Sequence, residues 1–518
     1  MIFNSYGFLL LFLPVVLAGY YLLGRAFASR TPSFVWLVLS SLVFYGTLSP
    51  AYLAVLVASV GLNFLAVRQL VGLSPEDPRR RVVFLAALVG NLAFLAYFKY
   101  TGFVLENVNA LLGTHLQVFQ AAYPTGMSFY TFIQIGCLVE TYTGQVEQLS
   151  FLRYAVFGTF FPYITAGPIV RQSEIFRQME LAHGEQTGRT PIAVGLTMFA
   201  MGLFKKAVLA DNIGPFVATL FGAAAAGGAT SPANAWIGAL AYTLELYFDF
   251  SGYSDMAIGL GCMLGLRLPL NFNSPLKATS LVDFWRRWHM TMVRFFTSHV
   301  YTPMAVSLMR SSVRHRLPTP VRLLAVLCFP VFVTFVLVGL WHGATWGFVI
   351  SGAIHGAGLA VNLTWRELRA RLALPGVPSL LGWGMTMLLV VVANVFLRAD
   401  SVQSALHVLQ MMAGLLPAAQ AAPGQFYGVA TVLGTVTVVP AVLWLGALAG
   451  VALLFPRNTQ QILDRYPVAL PSIPSPEPEP SVRISWRPSA RWAVAIAALG
   501  GVGLASLGGQ SPFLYYQF

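Results

Sequence analysis

From Leu323 to Trp365 the chain runs 43 residues without Asp, Glu, Lys or Arg, yet it carries His342 in Leu340-Trp341-His342-Gly343 and His355 in Ile354-His355-Gly356. An ionisable side chain in sequence apolar enough for a membrane is costly and points to function. Histidine titrates nearest neutrality, and an imidazole withdrawn from water stays neutral and can accept a proton. His342 is therefore a candidate general base, against the plainer reading of an imidazole satisfied by a neighbouring backbone carbonyl. Gly339, Gly343 and Gly347 permit close approach of a backbone or ligand, and Trp341 and Trp346 offer apolar walls. His355 follows thirteen residues later. On one unbroken helix that is about 20 Å along the axis and roughly 220° around it. The two histidines share a site only if the chain breaks between Gly343 and Gly352, so His355 ranks second.

Two further constellations carry polar chemistry. In Asp283-Phe-Trp-Arg-Arg-Trp-His289 the spacing pairs Asp283 with Arg287 and sets Trp285 beside His289, if the segment is helical. A membrane-surface helix with a tryptophan belt explains the Trp and Arg residues but not the histidine. In Tyr247-Phe-Asp249-Phe-Ser-Gly-Tyr253-Ser-Asp255 two carboxylates lie inside an apolar run and need partners. A proton relay and a structural hydrogen-bond network fit that spacing equally well. Nucleophile-elbow, phosphate-loop, dinucleotide and zinc-protease motifs are absent from the sequence. Any catalysis has to use a simple base, with the activated group brought by a bound donor.

The surrounding elements are those of a membrane protein. The 518 residues are 57% hydrophobic and 9% charged, with a mean hydropathy of +0.70, far from soluble composition. Continuous apolar runs favour helices over a β-barrel. We expect an all-α polytopic protein with roughly 11 to 13 membrane helices. The expected spans include Leu152 to Ile164, Trp236 to Leu266, Gly428 to Phe455 and Trp492 to Leu507. Residues 1–466 read as one membrane domain, 467–489 as a proline-rich linker, and 490–518 as a last membrane helix and tail. The first apolar run lacks a preceding Lys or Arg and is followed by Arg25 and Arg30, which predicts an uncleaved span with its N-terminal end outside. The net charge of +13 comes from short clusters beside apolar runs, as at Arg79 to Arg81, Arg310 to Arg322 and Arg366 to Arg371. That is a topology signal and calls for no nucleic acid. Cys137, Cys262 and Cys328 have neither disulfide nor metal spacing, and no metal is expected.

Six blocks, in order, resemble the membrane-bound O-acyltransferase superfamily, in the branch of alginate O-acetylation and teichoic acid D-alanyl transfer proteins. They are Pro124 to Tyr130, Phe161 to Ile169, Leu203 to Ala207, Tyr247 to Gly259, Asp283 to His289 and Gly339 to Trp346. The closing Phe513 to Phe518 is similar to the polysaccharide-acetylating members, whereas the proline-rich linker and Glu245, where glutamine is expected, depart from the pattern. The resemblance implies helices around a central tunnel, with His342 and His289 as catalytic residues. His342 would deprotonate an incoming hydroxyl, and His289 would orient or polarise the thioester carbonyl. Asp249, Asp255, Tyr253, Trp285 and Trp341 would support them, and Arg171, Lys205 and Arg286 would meet the phosphates of coenzyme A. No permanent cofactor is implied. Acetyl-CoA would be the donor, and an exported polysaccharide the final acceptor. The setting would be a bacterial cytoplasmic (inner) membrane, with lipid around the helices. A separate extracytoplasmic serine esterase-type (SGNH-like) acetyltransferase would receive the group, since the chain shows no Ser-His-Asp arrangement of its own. The rival class is a transporter or channel, in which the same Asp and His residues would form a proton pathway.

Overall fold

The computed structural model describes residues 1–118, 123–146, 149–180, 189–416, 427–432, 435–455, 457–470, 484–507 and 513–514. The chain is an all-α, multi-pass membrane protein. Among the described residues eight helices are long and apolar enough to cross a bilayer. They are α1 (Gly7–Ala26), α2 (Thr31–Leu48), α3 (Pro50–Gly72), α4 (Pro78–Leu112), α6 (Thr190–Ala210), α10 (Thr319–His342), α11 (Trp346–Leu372) and α12 (Ser379–Arg398). Between them lie α5 (Met127–Tyr142), α7 (Pro232–Met263) and the short α8 (Leu281–Trp285) and α9 (Met290–Phe296). Proline opens α3, α4 and α7, where its missing N–H leaves nothing unpaired. Asp77 caps α4 by accepting from Arg79 N–H at 2.8 Å, and hydrogen bonding from Arg79 holds its carboxyl below the usual range.

The interior is built around α7, whose 32 residues are buried almost throughout from Ala239 onward. Helix α6 lies against it so closely that a Cβ at Gly195 or Gly202 would come within 2.6 Å of the Gly259 or Gly252 carbonyl oxygen. Small residues at such a crossing let two backbones touch where lipid offers no hydrophobic drive for association.

Two expectations are corrected. The span expected from Gly428 to Phe455 is an antiparallel hairpin, Tyr427–Val432 with Thr435–Pro440, followed by a 14-residue helix, Ala441–Leu454. Its β-branched Val and Thr run outweighs overall hydropathy. The segment Leu152 to Ile164 is interrupted at Phe160, with helices Phe151–Thr159 and Phe161–Ile164 on either side, because Pro162 cannot continue a helix. The flanks of the proline-rich segment pair with the membrane domain: Leu470 N–H donates to Leu268 at 3.0 Å, and Trp486 N–H to Ile462 at 2.7 Å. Its middle, 471–483, and the closing residues 515–518 lie outside the described residues.

Candidate active site

Helix α10 ends at His342. Gly343 turns extended (φ −159°), and the chain re-enters a helix at Trp346 running back beside α10. This is the break that a shared site requires. The hairpin is tight because Gly339 and Gly352 face each other: a Cβ on either would meet the carbonyl oxygen of Phe348 or Phe335. His342 and His355 consequently line one enclosed space of about 50 Å³, together with Trp285, Ser351 and Asn394. The thirteen-residue separation that ranked His355 second is undone by the turn. Trp341 is buried against Phe132, Phe296 and the His342 ring. Trp346, expected as the second wall, is instead exposed and donates to Asn107 at 2.9 Å.

His289 reaches the same place by another route. Helix α8 stops at Trp285, and His289 caps α9 in the left-handed region (φ 43°), a costly conformation for a side chain with a Cβ and one associated with functional sites. The expected helical relation between Trp285 and His289 is lost with it. Trp285 packs edge-on to His355 with ring centres 4.9 Å apart, while His289 meets Phe250 at 4.7 Å and His342 at 6.4 Å. Asp283 and Arg287 still pair, at 2.8 Å. His289 Nδ1 lies 2.9 Å from Asn271 Oδ1, which also accepts from Thr291 Oγ1 at 2.9 Å, and Asn271 Nδ2 donates to Ser254 at 3.2 Å. With the amide oriented this way, His289 Nδ1 carries the proton and Nε2 is an acceptor.

The carboxylates of α7 do not enter the histidine space. Asp249 pairs with Lys206 at 2.5 Å and accepts from Leu514 N–H at 3.2 Å. Asp255 pairs with Lys205 at 2.6 Å and accepts from Thr459 Oγ1 at 2.8 Å. Tyr253 bonds Thr165 at 2.7 Å and is stacked between Phe3, at 4.9 Å, and Phe513, at 4.4 Å. These contacts make a hydrogen-bonded network such as either reading of the spacing requires, and α7 connects to His289 through Ser254 and Asn271.

Residues 83–396, more than half of the chain, match the family described as MBOAT, membrane-bound O-acyltransferase. The chain belongs to the membrane-bound O-acyltransferase family. It is 36% identical to the peptidoglycan O-acetyltransferase of Helicobacter pylori over 442 residues, 80% of each chain. It is 33% identical to the probable alginate O-acetylase AlgI of Pseudomonas aeruginosa over 80% of this chain and 75% of that one. A teichoic acid D-alanyltransferase of Streptococcus thermophilus is 27% identical over 46% of this chain and 57% of its own length.

In this O-acyltransferase the three residues expected at the donor phosphates are not equivalent. Lys205 is committed to Asp255, and Arg171 donates to Ser298 at 3.0 Å. Arg286 is exposed at the end of α8. Sequence reasoning passed over Lys99 on α4, whose Nζ donates to the carbonyls of Trp341 and, at 3.2 Å, His342. It is the lone cation between Val82 and Phe103, so the rule that singled out His342 would have found it. Asn271 had no such signal, because an asparagine at a loop position is unremarkable until its partner is known.

Proposed function

We propose that the protein takes an acetyl group from cytoplasmic acetyl-CoA and passes it across the membrane for O-acetylation of an exported polysaccharide. The observation that carries this is that His342 and His355 line one small space at the turn between α10 and α11, with the His289 ring 6.4 Å from that of His342. His342 takes the proton of the attacking hydroxyl as its oxygen bonds to the thioester carbon. The carbon–sulfur bond then breaks, and the same proton passes to the departing thiolate. The space is small, about 50 Å³. It suits a short acyl group, and its apolar walls keep out water that would hydrolyse the donor. His289, with its proton committed to Asn271, accepts and orients rather than polarises. Of the two roles expected for it, orienting or polarising, this reading takes the first.

The polarity of the helices supports transfer from one face to the other. The Arg310 to Arg322 cluster precedes or opens α10, and Arg366 to Arg371 close α11. Basic ends of membrane helices face the cytoplasm. His342 is at the opposite end of both, about 30 Å of helix from Arg366. Relatives named for acetylating peptidoglycan or alginate make a bacterial cytoplasmic membrane and a polysaccharide acceptor the fitting context. A polymer is too bulky to reach a histidine between packed helices, so the acetyl group leaves on an extracytoplasmic serine esterase-type acetyltransferase. Vesicles holding the purified protein, labelled acetyl-CoA and polymer test this. Label should reach the polymer only when that second protein is added, and never with His342→Ala. Transfer by His342→Ala at the parent rate refutes the assignment of the base, and efficient transfer without a second protein refutes the relay.

A further inference from the structure

Attack on a thioester places negative charge on its carbonyl oxygen, which needs a hydrogen-bond donor fixed in advance. Neither catalytic histidine supplies one: His342 must accept, and His289 holds its proton toward Asn271. The donor has to come from another wall of the space. Two groups there are unaccounted for by the rest of the fold. Trp285 and His355 are 8% and 7% exposed, and both line the space next to His342. Trp285 Nε1 and His355 Nδ1 are buried, and neither has a hydrogen-bond partner among the described residues. An indole N–H can only donate, and leaving a donor unpaired away from water costs as much as losing a hydrogen bond. The indole N–H, and His355 Nδ1 in the tautomer that protonates it, on rings packed edge-on at 4.9 Å, offer two donors with no acceptor among the described residues.

We infer that Trp285 and His355 bind the carbonyl oxygen of the acyl thioester, Trp285 donating from Nε1 and His355 from its ring N–H. This rests on the acyl-transfer reading and assigns that reaction its electrophile-binding side. Helix α8 presents Trp285, and the α10–α11 turn brings His355 round to meet it. Asp283 and Arg287 pin α8 with their ion pair, and Phe335 of α10 holds the indole with ring centres 4.7 Å apart. The oxygen site and the base thus line one space.

The test uses full-length protein carrying His342→Ala, so that acetyl-CoA labelled with ¹³C at the carbonyl stays bound, and reads the labelled C=O stretch by infrared difference. The bound band should lie below its position in free solution. Adding Trp285→Phe should return it most of the way, adding His355→Leu should return it in part, and His355→Gln, which keeps a donor, should leave it low. In the otherwise unaltered protein, Trp285→Phe should lower polymer acetylation about a hundredfold at unchanged yield and elution volume. A bound carbonyl at its free-solution position, or one indifferent to Trp285→Phe, overturns this inference and leaves acyl transfer standing. Failure of acetyl-CoA to bind the folded protein overturns the acyl-transfer reading itself.

Discussion

Replacing Lys99 with methionine removes the group that closes the end of α10. The last carbonyls of a helix have no partner within it, and at membrane depth water does not supply one. Lys99 Nζ serves two of them, on Trp341 and His342. Each carbonyl left unpaired costs about 1–3 kcal/mol, and loss of a cation at a helix C-terminus adds about 0.3–1 kcal/mol. Lys99 is half-buried, so the lower end applies, on the order of 2–3 kcal/mol for the rigid helix end. The terminal turn can escape that penalty by unwinding toward other donors, and unwinding moves His342. A displacement of about 1 Å at a reacting group costs roughly a hundredfold in rate. The expected phenotype of Lys99→Met is therefore a large fall in kcat with little change in KM for acetyl-CoA. The melting midpoint should fall by only a few degrees in a chain of this size. Lys99→Arg retains donors for both carbonyls and should stay within several-fold of the parent. Initial rates of acetyl transfer in reconstituted vesicles measure this. A Lys99→Met protein with kcat within twofold of the parent would refute the argument that this cap positions His342.

Gly352→Ala should push α11 away from α10, since the new Cβ meets the Phe335 carbonyl. Activity should fall by at least about tenfold, with overpacking costing about 1–3 kcal/mol of stability, and a parent-like rate would show that the hairpin tolerates separation. Arg286→Ala should raise KM for acetyl-CoA and weaken the salt dependence of binding. Lys205→Ala, which strands Asp255, should lower yield and melting midpoint instead; the reverse pattern in calorimetry and melting curves would restore Lys205 as a donor contact.

The class of fold was legible because its cause is compositional: 57% hydrophobic residues in long runs leave helices as the only way to satisfy the backbone in lipid. Local chemistry within that composition was harder. Gly428 to Phe455 has the hydropathy of a span, but its alternating Val and Thr favour a hairpin, and a hydropathy average does not see alternation. His342 stood out because nothing charged surrounds it. The nearness of His355 to His342 was not legible because helical arithmetic assumes an unbroken axis, and Gly343, an ordinary glycine in sequence, ends α10 only because Gly339 and Gly352 let α11 fold back on it. Trp285 and His289 exchanged neighbours for a related reason: the left-handed turn at His289 has no signature in residue type. The partners of Asp249 and Asp255 could be expected as cations, but only the crossing of α6 and α7 decided that Lys206 and Lys205 take them.

The stack of Phe3, Tyr253 and Phe513 bears on how this protein is made. Its outer rings are 510 residues apart in a chain whose synthesis runs at about 5–20 residues per second. Phe3 therefore waits roughly 25–100 s at that pace for the opposite face of Tyr253 to be covered. For the later half of that interval, once Met263 has been made, α7 is in the membrane with one side of its aromatic wall open and Asp249 lacking the Leu514 amide. A ribosome that stalls late leaves a chain with every histidine of the site inserted and the central helix still unclamped. Quality-control proteases that recognise exposed polar residues within the bilayer would have a clear means of telling such a chain from a finished one.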